Sequence, residues 1–343
     1  PNYGARNEKE NGVLYGICAN GGSKLTGGSV TLVYLEVGNS LSAYDRNAIQ
    51  TAAKGGKAVE LALNCKRQRQ DIVQIRSMEG ELEELSKLFA RYADTPFYLR
   101  FGAEFDIWDN RAEPEEFIRA FRYVSDFFHS RNGNVAVVWS PSQAANWYVE
   151  IEDYYPGDSY VDWVGVSLYA NPYFRGDPAA EEDDEIIFQT GINSDPVVAI
   201  RDLVEEYGDR KPIMLSESGC GHENMKNGED TTAFANRRLQ EYLCYLPMVY
   251  PQIKLMAYFD WYVSGDPSDY RLSTSDTLKE TYERLTKQHR FIQNSYDSET
   301  YFCYRKIGNG TTVNSVFPVS CYAHKYGTQL KRVTYFIDGK YAD

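Results

Sequence analysis

Two glutamates fall where chemistry is most easily done. The stretch Phe97-Tyr98-Leu99-Arg100-Phe101-Gly102-Ala103-Glu104 carries apolar residues straight into a carboxylate, and Pro212-Ile213-Met214-Leu215-Ser216-Glu217 does the same. Alternation along a strand would set Arg100, Gly102 and Glu104 on one face of the first stretch. A carboxylate on an otherwise apolar strand must be paired, hydrated or put to use, because an unpaired buried charge is costly. Two strands that each deliver a carboxyl at their C-terminal ends supply what glycosidic bond cleavage requires: one group to protonate the leaving oxygen and another to attack the sugar or activate water. The structural rival is an ion pair between Glu104 and Arg100, two positions apart; it leaves Glu217 without a task.

Eight short apolar runs could hold these groups: residues 12–20, 30–37, 57–64, the run ending at Glu104, 134–141, 162–169, 212–218 and 254–261. Helical spacing appears between most of them. Ser42 to Asp45 reads as an N-cap before a helix over 46–54, and Leu82, Leu85, Leu88 and Phe89 form the buried stripe of a helix over 77–92. Glu113-Pro114-Glu115-Glu116 opens another, with Phe117, Phe121, Val124 and Phe128 as its apolar face. Further helices fit 196–207, 231–246 and 276–291. Two units are irregular: residues 21–29 are too glycine-rich for a helix, and the fifth unit has room only for a short one near 152–155. Strands and helices in this alternation predict a closed parallel (β/α)8 TIM barrel, with an open doubly wound sheet as the alternative should a strand be miscounted. Barrel sites form at the C-terminal strand ends, where Glu104, Trp139, Ser140, Tyr169, Glu217 and Trp261 collect.

At 343 residues, 43% hydrophobic and 25% charged, the chain is long enough for one large domain and a small appendage. The expected division is a barrel over 1–294 and a β-rich segment over 295–343. Within the latter, residues 300–305, 315–322 and 331–340 read as antiparallel strands, with a turn at Asp338-Gly339. A net charge of -13 argues against nucleic acid or an anionic membrane surface as partner. No apolar run reaches membrane-spanning length. Twenty-eight tyrosines and five tryptophans would suit sugar faces, and equally an aromatic core. The six cysteines contain no C-x-x-C pair, so no metal is expected; disulfide pairing is open, with Cys303 and Cys321 the first pair to test. The acidic run 176–185 reads as a solvated loop and His222 as a surface histidine.

Several segments together resemble the clan A glycoside hydrolases, and most of all family 26, the β-mannanase type. They are Leu99-Arg100 with Glu104 and Trp108; Val138-Trp139-Ser140-Pro141; Tyr154-Tyr155-Pro156-Gly157-Asp158 with Tyr160-Val161-Asp162-Trp163-Val164-Gly165-Val166 and Tyr169; and Ser216-Glu217-Ser218-Gly219. The likeness runs over about residues 12–292. It implies a retaining hydrolase of a β-linked polysaccharide such as β-mannan, needing no cofactor, monomeric, and secreted or held at the cell surface. Glu104 would be the acid/base, Glu217 the nucleophile and Tyr169 a donor to it. Trp261 would floor the sugar, Trp108 and Trp147 would line outer subsites, and Arg100 and Trp139 would complete the binding set. Three positions depart from the family: Ala103 stands where His is usual, Asp106 where Asn is, and Ser167 where Asp is. The alternative reading is a non-catalytic carbohydrate-binding barrel in a multimodular secreted protein. The run from Val333 to Asp343 also resembles the middle of immunoglobulin-like modules of secreted bacterial glycanases.

Overall fold

A computed structural model describes the chain except residues 19–24, 26, 40, 66–68, 108–111, 144–148, 174–194, 298–300, 309, 313, 315–317, 324–329, 338 and 343. Eight parallel strands form the barrel: β1 (Val13–Cys18), β2 (Val30–Glu36), β3 (Ala58–Asn64), β4 (Phe97–Phe101), β5 (Val135–Trp139), β6 (Trp163–Ala170), β7 (Ile213–Cys220) and β8 (Ile253–Phe259). Each pairs with the next in sequence, and β8 pairs with β1, so the ring is closed. Closure excludes the open sheet.

The helices follow from local sequence. In α1 (Ala43–Lys54), the Ser42 N–H donates to Asp45 at 2.9 Å and the Asp45 N–H to Ser42 Oγ at 3.1 Å, a reciprocal cap. The helices α2 (Glu79–Arg91) and α3 (Pro114–His129) bury the predicted stripes, with Phe117, Phe121, Val124 and Phe128 all sealed from solvent. The outer layer also includes α4 (Arg201–Tyr207), α5 (Thr232–Gln240) and α6 (Asp276–Thr286). Between β5 and β6 the described residues hold only a short 3-10 turn, Ile151–Tyr154.

Alternation divides the core in two. Tyr98, Ala136, Val138, Trp163 and Met214 point into the barrel, while Leu99, Val137, Val164 and Leu215 face the helices. The N-terminal end of the barrel is plugged by the first residues of the chain: Tyr98 donates to Asn7 O and Trp163 Nε1 to Arg6 O, each at 2.8 Å, and Lys254 pairs with Glu8. The opposite rim is where side chains converge.

The tail differs from expectation. Among its described residues, only Tyr335–Ile337 (β9) and Lys340–Ala342 (β10) are strands, paired antiparallel, with Gly339 at a φ of +74° in the connection; Asp338 lies outside the described residues. Of the expected strands over 300–305 and 315–322, the described residues are not strand. Instead Tyr301 is buried against the barrel and Tyr322 donates to Asp195 at 2.6 Å. These large aromatics find apolar partners on the barrel that a free hairpin would not offer. All six cysteines are free; Cys303 bonds to Asn11 and Cys321 to Tyr335, so the expected bridge is not formed.

Candidate active site

Glu104 is not delivered by strand alternation. The strand β4 stops at Phe101, and both Gly102 and Glu104 adopt left-handed backbone, at φ of +59° and +55°. That conformation is uncommon outside glycine and persists where surroundings enforce it. Here the Glu104 N–H donates to Ser140 O at the end of β5, at 2.9 Å, pinning the turn to the neighbouring strand.

Glu217 arrives by a different device. The β6–β7 pairing shifts register so that Val166 opposes Leu215 but Ser167 opposes Glu217. The extra residue is Ser216, a bulge of the kind that re-aims side chains beside functional sites. Leu215 faces the helices. Ser216 Oγ accepts from Ser140 Oγ at 3.2 Å inside the barrel, and Glu217, which strict alternation would turn outward, points inward as well. Gly165 makes room: a Cβ there would lie 2.1 Å from Ser216 Oγ.

Arg100 organises the interior. It is wholly buried, and it donates from Nη1 to Glu217 Oε1, from Nε to Ser140 Oγ at 3.0 Å and from Nη2 to Ser167 Oγ at 2.6 Å. Its hydrogen-bonded carboxylate is therefore Glu217 rather than Glu104. Tyr169 Oη donates to the other oxygen, Oε2, at 2.8 Å. Both donors stabilise negative charge on Glu217. Burial, reinforced by the Glu217 charge, keeps the Tyr169 hydroxyl far above its ordinary range, so it remains a neutral donor.

Glu104 is the complement. Burial first and the Glu217 charge second push its carboxyl up to about 7, against the opposing pull of Arg100 and a hydrogen bond from Ser167. Glu217 thus has a guanidinium and a phenol as donors while the Glu104 carboxyl is pushed up to about 7, and unequal environments of this kind can fit two carboxyls for different tasks. Ser167 joins the two halves, meeting Arg100 on one side and Glu104 on the other.

The remaining predicted residues divide. Trp261 is 37% exposed just past β8, nearly parallel to Phe259 at 6.3 Å; Phe259 in turn packs edge-on against Tyr169 at 6.1 Å. An exposed ring thus continues the wall that begins at Glu217. Trp139 is a correction: it is fully buried and faces the helix layer, its Nε1 donating to Tyr154 O and its ring packed among Phe105, Tyr155 and Tyr207. The described residues between β5 and β6 hold no α-helix, and this tryptophan fills the outer face there. Trp108, Trp147 and the acidic run 176–185 lie outside the described residues. His222 is also corrected, being buried with Nε2 bonded to Thr274 at 3.0 Å. Tyr34, Glu60 and Asp260 are interior groups that the sequence reading passed over; each leaves a buried oxygen without a hydrogen-bond partner among the described residues. Among the described residues no cluster of His, Cys, Asp and Glu could hold a metal, and no helix is long and apolar enough to cross a membrane.

Residues 102–227 match the model of glycosyl hydrolase family 26, a segment that holds both glutamates and strands β5 to β7. No curated protein matches the chain in sequence. Among solved structures, a GH26 β-mannanase from Bacteroides ovatus is similar at 15% identity with a TM-score of 0.52, over 88% of this chain and 95% of its own. GH26C from Muricauda sp. is similar at 17% identity and a TM-score of 0.57, over 87% and 91%. An endo-β-1,4-mannanase double mutant from Cellulomonas fimi is similar at 14% identity and a TM-score of 0.58, over 87% and 75%. At such identities these likenesses establish the fold alone.

Proposed function

We propose that this chain, whose residues 102–227 match the model of glycosyl hydrolase family 26, is a glycoside hydrolase that cleaves a β-linked polysaccharide such as β-mannan with retention of configuration. The observation that carries the reading is the unequal treatment of two neighbouring carboxyls: Glu217 is gripped by Arg100 and Tyr169, while Glu104 keeps its proton up to about pH 7. Glu217 attacks the anomeric carbon, and its C–O bond forms as Glu104 transfers its proton to the departing glycosidic oxygen. Glu104, now a carboxylate, takes a proton from water, whose oxygen displaces Glu217 and restores the starting state. Trp261 offers its exposed ring as a platform for the apolar face of a sugar.

Ala103 cannot hydrogen-bond a sugar hydroxyl, so the substrate is one recognised without a donor at that position. A polymeric substrate goes with secretion or a cell-surface location, which belongs to the same proposal, as does a monomeric state. The test is a screen of β-mannan, mixed-linkage glucan and xylan with wild type, Glu104→Ala and Glu217→Ala, with the anomer first released read by NMR. Cleavage by wild type alone, with retention, is expected. Wild type no faster than both variants on every glycan would defeat the proposal and favour the non-catalytic barrel.

A further inference from the structure

The barrel interior holds a third carboxyl that this mechanism does not use. Glu60 sits in the middle of β3 between the inward-facing Ala58 and Ala62, with no exposed surface. Neither of its oxygens has a hydrogen-bond partner among the described residues. The ionisable groups facing it are Cys18 on β1, Tyr34 on β2, Tyr98 and Arg100 on β4 and Glu217 on β7. Arg100 is the cation among them, and its nitrogens bond Ser140, Glu217 and Ser167, not Glu60.

We propose that Glu60 takes no part in catalysis and stays protonated throughout the reaction, so that the single positive charge of Arg100 is left to the catalytic pair. A carboxylate at this position would be a buried anion without donors, the arrangement that proteins avoid most strongly. It would also compete with Glu217 for one guanidinium. Burial accordingly holds the Glu60 carboxyl well above the ordinary range, with the Glu217 charge adding to the effect and Arg100 opposing it.

Charge counting gives the neutral state its purpose, and here the inference rests on the roles proposed above for Glu104 and Glu217. In the free enzyme Arg100 balances the Glu217 carboxylate while Glu104 is protonated. In the glycosyl-enzyme Glu217 is an uncharged ester and Glu104, having given its proton to the leaving oxygen, is the carboxylate. From the catalytic pair Arg100 thus faces one negative charge in both states. Arg100 and the pair together carry no net charge at either stage, a balance that Glu60 leaves intact provided that it carries none. An ionised Glu60 would leave an uncompensated negative charge in both and would draw Arg100 off its partner.

The test is a difference infrared spectrum of the whole chain, wild type minus Glu60→Gln, at pH 6 to 8 without substrate. The expected result is the loss of one protonated-carboxyl C=O band, shifted by exchange into deuterated water, with the carboxylate bands unchanged. Loss of a carboxylate band instead would overturn the proposal. Glu60→Met, of similar size and uncharged, replaces Glu60→Gln if that variant does not fold. On any glycan that the wild type cleaves, Glu60→Gln should keep kcat/KM within about threefold and leave both limbs of its pH profile in place, since one pH unit of displacement corresponds to a tenfold change. A displaced acid limb would show that Glu60 had been sharing Arg100 as an anion. The spectrum needs no turnover, so the protonation state can stand or fall separately from hydrolase activity.

Discussion

Tyr169 and Glu217 face each other across neighbouring strands, with the phenol donating at 2.8 Å to the carboxylate oxygen that Arg100 leaves free. Hydrogen bonds to charged groups contribute about 1.5–3 kcal/mol, and this one lies in a partly buried place. Tyr169→Phe should therefore lower kcat/KM by roughly 10- to 100-fold. Circular dichroism should show an intact fold, because the ring keeps its contacts with Phe259 and Tyr270. An unchanged kcat/KM would remove Tyr169 from the site.

A carboxyl that holds its proton to about pH 7 dates the alkaline limb of the reaction. The kcat/KM of the wild type should fall above about pH 7 as free Glu104 loses the proton it must donate. A limb centred near pH 5 would contradict the assignment of Glu104 as the acid.

The same shift makes a stability prediction with a definite sign. Because the folded pKa lies above the unfolded value of 4.5, the proton on Glu104 supports the fold fully below about pH 4.5, and that support is lost as pH rises through about 7. Glu104→Gln abolishes the dependence. Urea denaturation should find the variant gaining on the wild type by up to roughly 3 kcal/mol between pH 4 and pH 8, an upper bound because the group is only half-buried by exposure. A constant difference across that range would count against the raised pKa.

Much of the barrel is written in the order of apolar runs, since each run is bounded by turn or cap residues that local chemistry specifies, as Ser42 and Pro114 do. The inward and outward faces of Tyr98 and Leu99 follow from alternation alone. By the same rule Trp139 faces outward, one residue after the inward Val138, so its burial in the helix layer was legible once the short fifth unit was counted. What alternation does not reveal is where it breaks. The left-handed turn at Gly102 and Glu104 and the bulge at Ser216 depend on long-range hydrogen bonds to Ser140, which no local pattern encodes. Glu60 did carry a signal, a lone acid in the apolar run Ala58-Val59-Glu60-Leu61-Ala62, the same feature that drew attention to Glu104. The tail misled because exposed-strand composition also describes aromatics that dock singly, as Tyr301 and Tyr322 do.

Gly102 tests the turn directly. Its φ of +59° is one that side-chain residues avoid at a cost of about 1–2 kcal/mol, and a Cβ there would sit 3.1 Å from the ring of the buried Phe117. Gly102→Ala should lower unfolding stability by at least that amount and reduce kcat more than it raises KM, since Glu104 is displaced while the Trp261 platform is untouched. Full activity in a stably folded Gly102→Ala protein would show that the acid does not depend on this backbone.

Asp106 ties the turn to the next strand end, accepting from the Ser142 N–H at 2.8 Å and from its hydroxyl at 3.1 Å. Burial is the main reason its carboxyl is pushed up to about 6, and the Ser142 bonds act against that rise. An asparagine can keep both contacts without carrying a charge into a buried place, its Oδ1 accepting from the Ser142 N–H and its Nδ2 donating to the Ser142 hydroxyl oxygen. Below the unfolded value of 3.8 Asp106 is protonated in both states; as pH climbs through about 6 the folded form must accommodate the anion, and stability is lost. Asp106→Asn should therefore match the wild type at pH 3 and exceed it at pH 8. Asp106→Ala, which leaves the Ser142 N–H buried without this acceptor, should lose about 1–3 kcal/mol and lower activity through misplacement of Glu104. Equal stability of the Asn and Ala variants would mean that the link between the two loops contributes nothing, and that Glu104 is held by its bond to Ser140 alone.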